Sequence, residues 1–559
     1  MNSMADKIFL ETHINVFFDY FNAIPQYNFI HKATFLRSFY HDTLDPLFLR
    51  CVCGVASRFL RPRSAPEYVV EWLKEVEAQI WSRMGEMKLQ NLQILVLLIC
   101  WYLMERKISN MWIASGVAAR MAYGIRLNYE TSDKIPFLSR ELRRRLMWSI
   151  FMLDKLYAGG FTELVLCSPS TMHIKLPCEE RNFELDMTVE TPILEPARPD
   201  SQLESNIGIM GYITRLMNIR HAVLEITKQI ISSNANPYSA QDSIQSLDNM
   251  LNSFALSLPA HLRDSPRNLL CRAYTSELAG YINLHTLWHQ CYCDLYRMMI
   301  PGIRESVPEL VQRQVPVEYA DECRRLCLHH AVGMCKLWSD TLREADISRI
   351  SDQSIGIYAY QCANVLVNLW DLDRDDTLES SLQTISSFLD HLSLIYPVVA
   401  EVQLEVKSFI SKLNVVADFY HTHAHQNLAP RLTAAWRSSL RQQGTQEGQT
   451  TSRFSLLEYL QNQNSAEDPG TPGEYCAAPV NDVPADPVPL PEVNIGMGLT
   501  ADASSPDRPD LLTDELWPEE SLVIDFDTDG THVDPFSRIF GDWSLVTEPQ
   551  SSLQEPPRH

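Results

Sequence analysis

No CxxC spacing occurs among the 13 cysteines. The close pairs, Cys51/Cys53, Cys291/Cys293 and Cys323/Cys327, do not follow a zinc-ligand pattern. Thirteen thiols in 559 residues are too sparse for a disulfide scaffold, so the chain reads as intracellular with reduced thiols. No apolar run approaches the roughly 20 residues that a bilayer helix needs. The longest, Ile94 to Met104, stops at Glu105-Arg106-Lys107 and reads as a buried helix. The N-terminus, MNSMADKIFLE, mixes acid and base where a signal peptide would place a basic and then an apolar region. Basic residues are few as well, 47 Lys+Arg against 70 Asp+Glu for a net charge of −23. A chain without a basic block is a poor autonomous binder of nucleic acid, because phosphate neutralisation supplies most of that affinity. GxSxG, GxxxxGKS/T, a strand-borne GxGxxG and HExxH are all missing, and no acid/base pair stands out. No catalytic residue is expected, and no enzyme.

What the sequence does contain is helical pattern followed by an acidic tail. Hydrophobic residues make up 45%, enough for a sizeable core. Residues 1–425 carry apolar residues at three/four spacing in segment after segment: Ile8–Phe21, Ser38–Leu60, Pro66–Met84, Leu89–Met104, Ser109–Ile125, Ser139–Tyr157, Glu204–Ser232, Ser239–Leu256, Cys271–Met299, Pro316–Glu344, Asp352–Leu372, Asp376–Leu394 and Pro397–Tyr420. The expected fold is all-α, a large bundle-like regulatory body. Residues 426–463 read as a linker and 464–559 as a disordered tail. That tail holds 20 acids, three basic residues and 14 prolines, a composition that cannot repay the entropy of ordering.

Two neighbouring segments are the most distinctive. In MWIASGVAARMAYGIRL, Ala114, Ser115, Ala118, Ala119 and Ala122 form a small-residue stripe and Gly124 is a candidate helix stop. In SRELRRRLMWSIFMLDKLYA, Ser139 is a candidate N-cap, and Leu142, Leu146, Ser149 and Leu153 share a face. Together they resemble the fungal-specific transcription factor domain, or middle homology region. Gly116, Ala118, Arg120, Met121, Ala122 and Leu127 match one block of that family. Glu141, Leu142, Arg143, Arg144, Arg145, Trp148, Phe151 and Asp154 match a second, and Tyr20-Phe21, Phe29, His31, Thr34 and Phe35 an opening one. Leu176–Glu184 resembles the branch whose members often add two-Cys/two-His fingers.

The resemblance implies a regulator of RNA polymerase II genes in the nucleus. It implies Arg120, Arg143, Arg144, Trp148 and Asp154 as structural signature residues. The family's zinc-bearing DNA-binding module has no counterpart in this sequence, so no cofactor is expected here. DNA would be reached only indirectly, through a DNA-binding partner protein or a homodimer, and no membrane partner is expected. The alternative is a ligand-sensing helical regulator, with Trp101, Trp112, Trp288, Trp338 or Trp370 lining a pocket.

Other constellations have plainer readings. His285, His289, Cys291 and Cys293 do not converge on one helix face, and so read as packing residues. His421, His423 and His425 read as a helix end. Arg143-Arg144-Arg145 reads as a solvated or ion-paired face, and Arg58–Pro66 as an exposed loop. Asp154 and Arg120 are expected to pair across the two signature helices. In the tail, residues 510–546 form a candidate activation segment that contacts transcriptional coactivators. Trp517 and Phe526 lie among acids there, while Phe536, Ile539, Phe540 and Trp543 share one helical face.

Overall fold

The computed structural model describes residues 4–60, 67–196, 200–369, 377–422, 448–451 and 453–460. Fourteen helices of nine or more residues account for most of them: α1 Met4–Val16, α2 Lys32–Tyr40, α3 Pro46–Ala56, α4 Glu67–Ser82, α5 Leu89–Met104, α6 Ile108–Gly124, α7 Phe137–Ala158, α8 Ile209–Ser232, α9 Gln241–Ser257, α10 Glu277–Tyr296, α11 Val317–Glu344, α12 Ser354–Leu369, α13 Thr377–Ser393 and α14 Pro397–Thr422. The described residues form no sheet, only isolated bridges at Tyr129/His173, Lys175/Ile193 and Cys178/Ile207. The architecture is all-α, as the periodicity implies. No described helix is long and apolar enough to cross a membrane.

Local chemistry explains where the helices break. The single helix expected over Ser38–Leu60 is two. Asp42 takes a left-handed φ of 56°, the Asp45 carboxylate accepts the Leu47 N–H, and Pro46 opens α3. The segment expected from Cys271 begins as α10 only at Glu277, after a short helix at Pro266–Arg272. α1 runs into a π-helical turn, Phe17–Phe21, that buries Phe17, Phe18 and Phe21. Two cap expectations are corrected. α7 starts at Phe137 behind Pro136, which fixes the entry without a side-chain cap, so Ser139 lies inside the helix. α6 is closed by Arg126 at φ 55° and by the Leu127 N–H on the Ala122 carbonyl at 2.9 Å, not by Gly124.

α5 is buried along nearly its whole length, which is why its sequence shows apolar residues on every face. α10 is the second such helix; it packs most extensively on α11 and also on α8. α13 packs on α14, and α5 on α6. The connection from α7 to α8 is irregular and lies against α7. At its end the backbones meet so closely that a Cβ on Gly208 would enter the Cys178 carbonyl, and the Gly208 N–H bonds the Pro177 carbonyl at 3.1 Å.

Within the stretch read as a linker, residues 448–451 and 453–460 return to the helical body. Gly448 and Gln449 donate to the Ser306 and Arg304 carbonyls at 2.9 and 3.0 Å. Phe454 is buried edge-on to Tyr360, Glu458 pairs with Arg304, and Arg106 bonds the Tyr459 hydroxyl at 2.9 Å. Residues 464–559 lie outside the described residues.

Candidate functional site

α7 is buried almost all round and yet carries charge, so each charged group needs a partner. Those partners lie in the irregular segments on either side. Arg144, 2% exposed, grips Glu130 through Nε and Nη2 at 2.9 and 2.7 Å. Glu130 in turn accepts the Lys175 N–H at 3.1 Å. Glu141 and Arg145, both wholly buried, pair at 2.9 Å. Glu141 accepts the Cys178 N–H at 2.9 Å, and Arg145 donates to the Cys178 carbonyl at 2.7 Å. Trp148 Nε1 donates to the Lys175 carbonyl at 2.8 Å, and Arg143 to the Ile125 carbonyl at 3.1 Å. Of the arginine triplet, Arg144 and Arg145 are therefore ion-paired and buried, while Arg143 bonds a backbone carbonyl. Arg145 also lies 4.1 Å over the Phe183 ring, so its guanidinium is held between the helix and the following segment.

Asp154 does not pair with Arg120. Its carboxylate accepts the backbone N–H groups of Leu166, at 3.1 and 3.2 Å, and Cys167, at 2.9 Å, while Arg120 stays exposed. Burial pushes the Asp154 carboxyl above its ordinary range, against the pull of those N–H groups and of Lys155. Arg143 and Arg144 thus hold the segment that precedes α7, and Trp148 and Asp154 the loop-rich connection that follows it. Arg120 instead borders an open groove with Trp112, Ile113 and Leu166.

α10 meets the same problem with neutral rings. His289 and His330 share an Nδ1 to Nδ1 hydrogen bond of 3.1 Å, in which one ring donates and the other accepts, and Tyr292 stacks on His330 at 3.8 Å. Burial drives His289 down to about 3 and His330 to about 2, with the neighbouring histidines adding to the fall. His285 bonds the Leu262 carbonyl at 2.9 Å, and Cys291 and Cys293 are buried. No group of three metal-ligating side chains occurs among the described residues.

Between α7, α8, α10, α12 and residues 450, 451 and 455–457 lies a cavity of about 130 Å³. Its charged wall is built from distant parts of the chain. Arg220 bonds Asp294 at 2.8 Å, and Arg297 lies 2.9 Å from Asp294 and 3.4 Å from Glu305. Lys228 donates to the Thr450 carbonyl and lies 4.1 Å over the Phe161 ring. Burial lowers the Lys228 pKa to about 8, against the attraction of Glu305. Tyr27, Tyr157, Tyr358 and Tyr396 supply the aromatic wall. The tryptophans do not: Trp101 and Trp338 are core, Trp112 borders the open groove, Trp288 donates to the Leu251 carbonyl, and Trp370 lies outside the described residues. Also outside them are Trp517, Phe526, Phe536, Ile539, Phe540, Trp543 and the histidines 423 and 425.

Sequence reasoning missed Glu130 as the Arg144 partner, and missed Arg220, Lys228, Asp294 and Arg297 as cavity residues. A helical wheel shows neighbours three and four apart, whereas Arg220 and Asp294 are 74 positions apart. The one available signal was a charge on an otherwise buried helix face.

Residues 14–255 match the model of the fungal specific transcription factor domain. Among curated relatives, a Zn(2)-C6 fungal-type transcription factor of Fusarium oxysporum f. sp. lycopersici, FTF1c, is 27% identical over 372 residues, 61% of this chain and 38% of that protein. A second from the same fungus, FTF2, is 29% identical over 397 residues, 65% of this chain and 35% of that protein. A Schizosaccharomyces pombe transcriptional regulatory protein is 24% identical over 358 residues, 58% of this chain and 43% of that one. No solved structure matches. Residues 14–255 are thus similar to a fungal specific transcription factor domain, and these relatives are transcription factors or a transcriptional regulatory protein, not enzymes. The Fusarium names are of the Zn(2)-C6 type, where residues 176–184 resembled the branch with two-Cys/two-His fingers. This chain spans about two fifths of the length of the curated relatives it matches.

Proposed function

We propose that this chain regulates transcription of RNA polymerase II genes in the nucleus. Its helical body serves as a regulatory and dimerisation platform, and residues 510–546 as an acidic activation segment. The match of residues 14–255 to a domain shared with transcription factors carries this reading. DNA is reached through a partner protein or a DNA-binding module outside the sequence described above, and coactivators are met through Trp517, Phe526, Phe536, Ile539, Phe540 and Trp543. The tail composition supports that assignment: acids keep the interleaved apolar groups solvated until an apolar groove receives them. The test is a fusion of residues 505–559 to an unrelated DNA-binding domain, assayed on a reporter in a fungal cell. Activation that falls on Phe540→Ala plus Trp543→Ala is expected; an inactive fusion refutes the activation role. A second reading, a ligand-sensing regulator, is favoured by the charge-lined cavity.

A further inference from the structure

We propose that the cavity between α7, α8, α10 and α12 is a binding site for a small apolar monocarboxylate, its carboxylate on the Lys228 ammonium and its hydrocarbon part among Leu153, Leu156, Leu224 and Leu457. The inference rests on the ligand-sensing reading and names its ligand class.

The charge pattern sets the class. Asp294 and Glu305 are both occupied by Arg220 and Arg297. Asp352, also on the wall, accepts from Gln26 Nε2 at 2.9 Å, from the Ser354 N–H and hydroxyl at 2.9 and 2.8 Å, and from Asn283. Lys228 is the cation left over: among the described residues no carboxylate lies within ion-pair distance of it. Its ammonium has three N–H groups, and its hydrogen bond goes to a neutral carbonyl. The wall's three cations and three carboxylates balance, but Asp352 is already met by four donors, whereas the Lys228 ammonium keeps N–H groups to spare, and these call for an acceptor such as a single carboxylate. A cationic ligand would find every carboxylate already engaged.

Size sets the rest. A hollow of about 130 Å³ is close to the ~150 Å³ at which an apolar cavity takes up benzene, so the ligand is a single ring or a short branched chain. The wall holds further unmet atoms, among them Gln26 Oε1, Gln353 Oε1 and the Tyr157 hydroxyl, buried and without a hydrogen-bond partner, and a hydroxyl on the ligand would satisfy one of them. Residues 450, 451 and 455–457 form one side of the cavity, with the Thr450 carbonyl on Lys228 itself. Occupancy therefore bears directly on the segment that returns across the body from beyond α14.

The test is isothermal titration of the purified full chain with benzoate, 4-hydroxybenzoate and the neutral benzyl alcohol. It does not depend on the chain activating transcription, so an inactive reporter leaves it standing. Saturable one-to-one binding of both carboxylates is expected, with benzyl alcohol about tenfold weaker or worse. Lys228→Met should weaken the carboxylates by about tenfold or more, and Lys228→Arg should keep most of the affinity. Leu457→Trp, which fills the hollow from that side, should abolish binding while the melting curve stays cooperative. No saturable heat from either carboxylate, equal affinity for benzyl alcohol, or binding that survives Leu457→Trp would overturn the proposal. Should Lys228→Met fail to fold, the Leu457→Trp and benzyl alcohol arms still decide it.

Discussion

α7 and α10 are both buried on nearly every face, and both carry groups that water would normally solvate. α7 keeps its groups charged and meets them with opposite charges and loop backbone. α10 keeps its imidazoles neutral, bonding His289 to His330 of α11 and stacking Tyr292 on that ring, and reserves Asp294 for two arginines. The difference teaches where each helix is vulnerable. The first fails when a partner is removed; the second fails when protons are added.

The largest expected effect tests the first half of that contrast. Glu141→Ala leaves buried Arg145 without its carboxylate and frees the Cys178 N–H, so about 3–5 kcal/mol of stability should be lost. Urea unfolding measures this, and a loss below about 1 kcal/mol would mean that water replaces the carboxylate. Asp154→Ala comes next. It orphans the Leu166 and Cys167 N–H groups, for about 2–3 kcal/mol, whereas Asp154→Asn, which keeps an acceptor oxygen, should cost less. Were Arg120 the true partner, Arg120→Ala would match Asp154→Ala; it should be near neutral.

The second half of the contrast is tested by acid. The folded His289 and His330 pKa values lie below their ordinary value, so the folded state binds fewer protons than the unfolded state. Their contribution is present above about pH 6.5 and is lost as the pH falls toward about 3, by about 1.4 kcal/mol per pH unit for each ring. Denaturant melts between pH 7 and 5 should show that slope. His330→Phe should flatten it by about one proton, while Glu141→Gln should leave it in place. The smallest effect, about 1 kcal/mol, is expected from Trp148→Phe, which keeps the ring in the core and removes the bond to the Lys175 carbonyl.

These contrasts also show what was legible beforehand. α5 has the bounds its periodicity implied, Leu89 to Met104, because a continuous apolar run ending in three charged residues leaves little choice. α7 was placed to within two residues at its start, and its signature residues were picked out, but their partners were not. Asp154 was matched with Arg120 because both stand on helices and carry opposite charge. The actual donors, the N–H groups of Leu166 and Cys167, are backbone atoms of a loop, and backbone donors leave no trace in side-chain pattern. The cavity was hidden for a related reason. Its wall joins residues from Ile24 to Leu457, and only tertiary closure brings them together.

The meeting of Gly208 with the Cys178 carbonyl binds two constraints into one. That carbonyl oxygen is also the acceptor for Arg145, so a methyl group at position 208 would press on the atom that the buried guanidinium holds. Any side chain at 208 would have to be met by a shift of residue 178, and with it by a new arrangement of Arg145 and Glu141. Positions 141, 145 and 208 therefore constrain one another's substitutions, although the last two are 63 positions apart in the sequence.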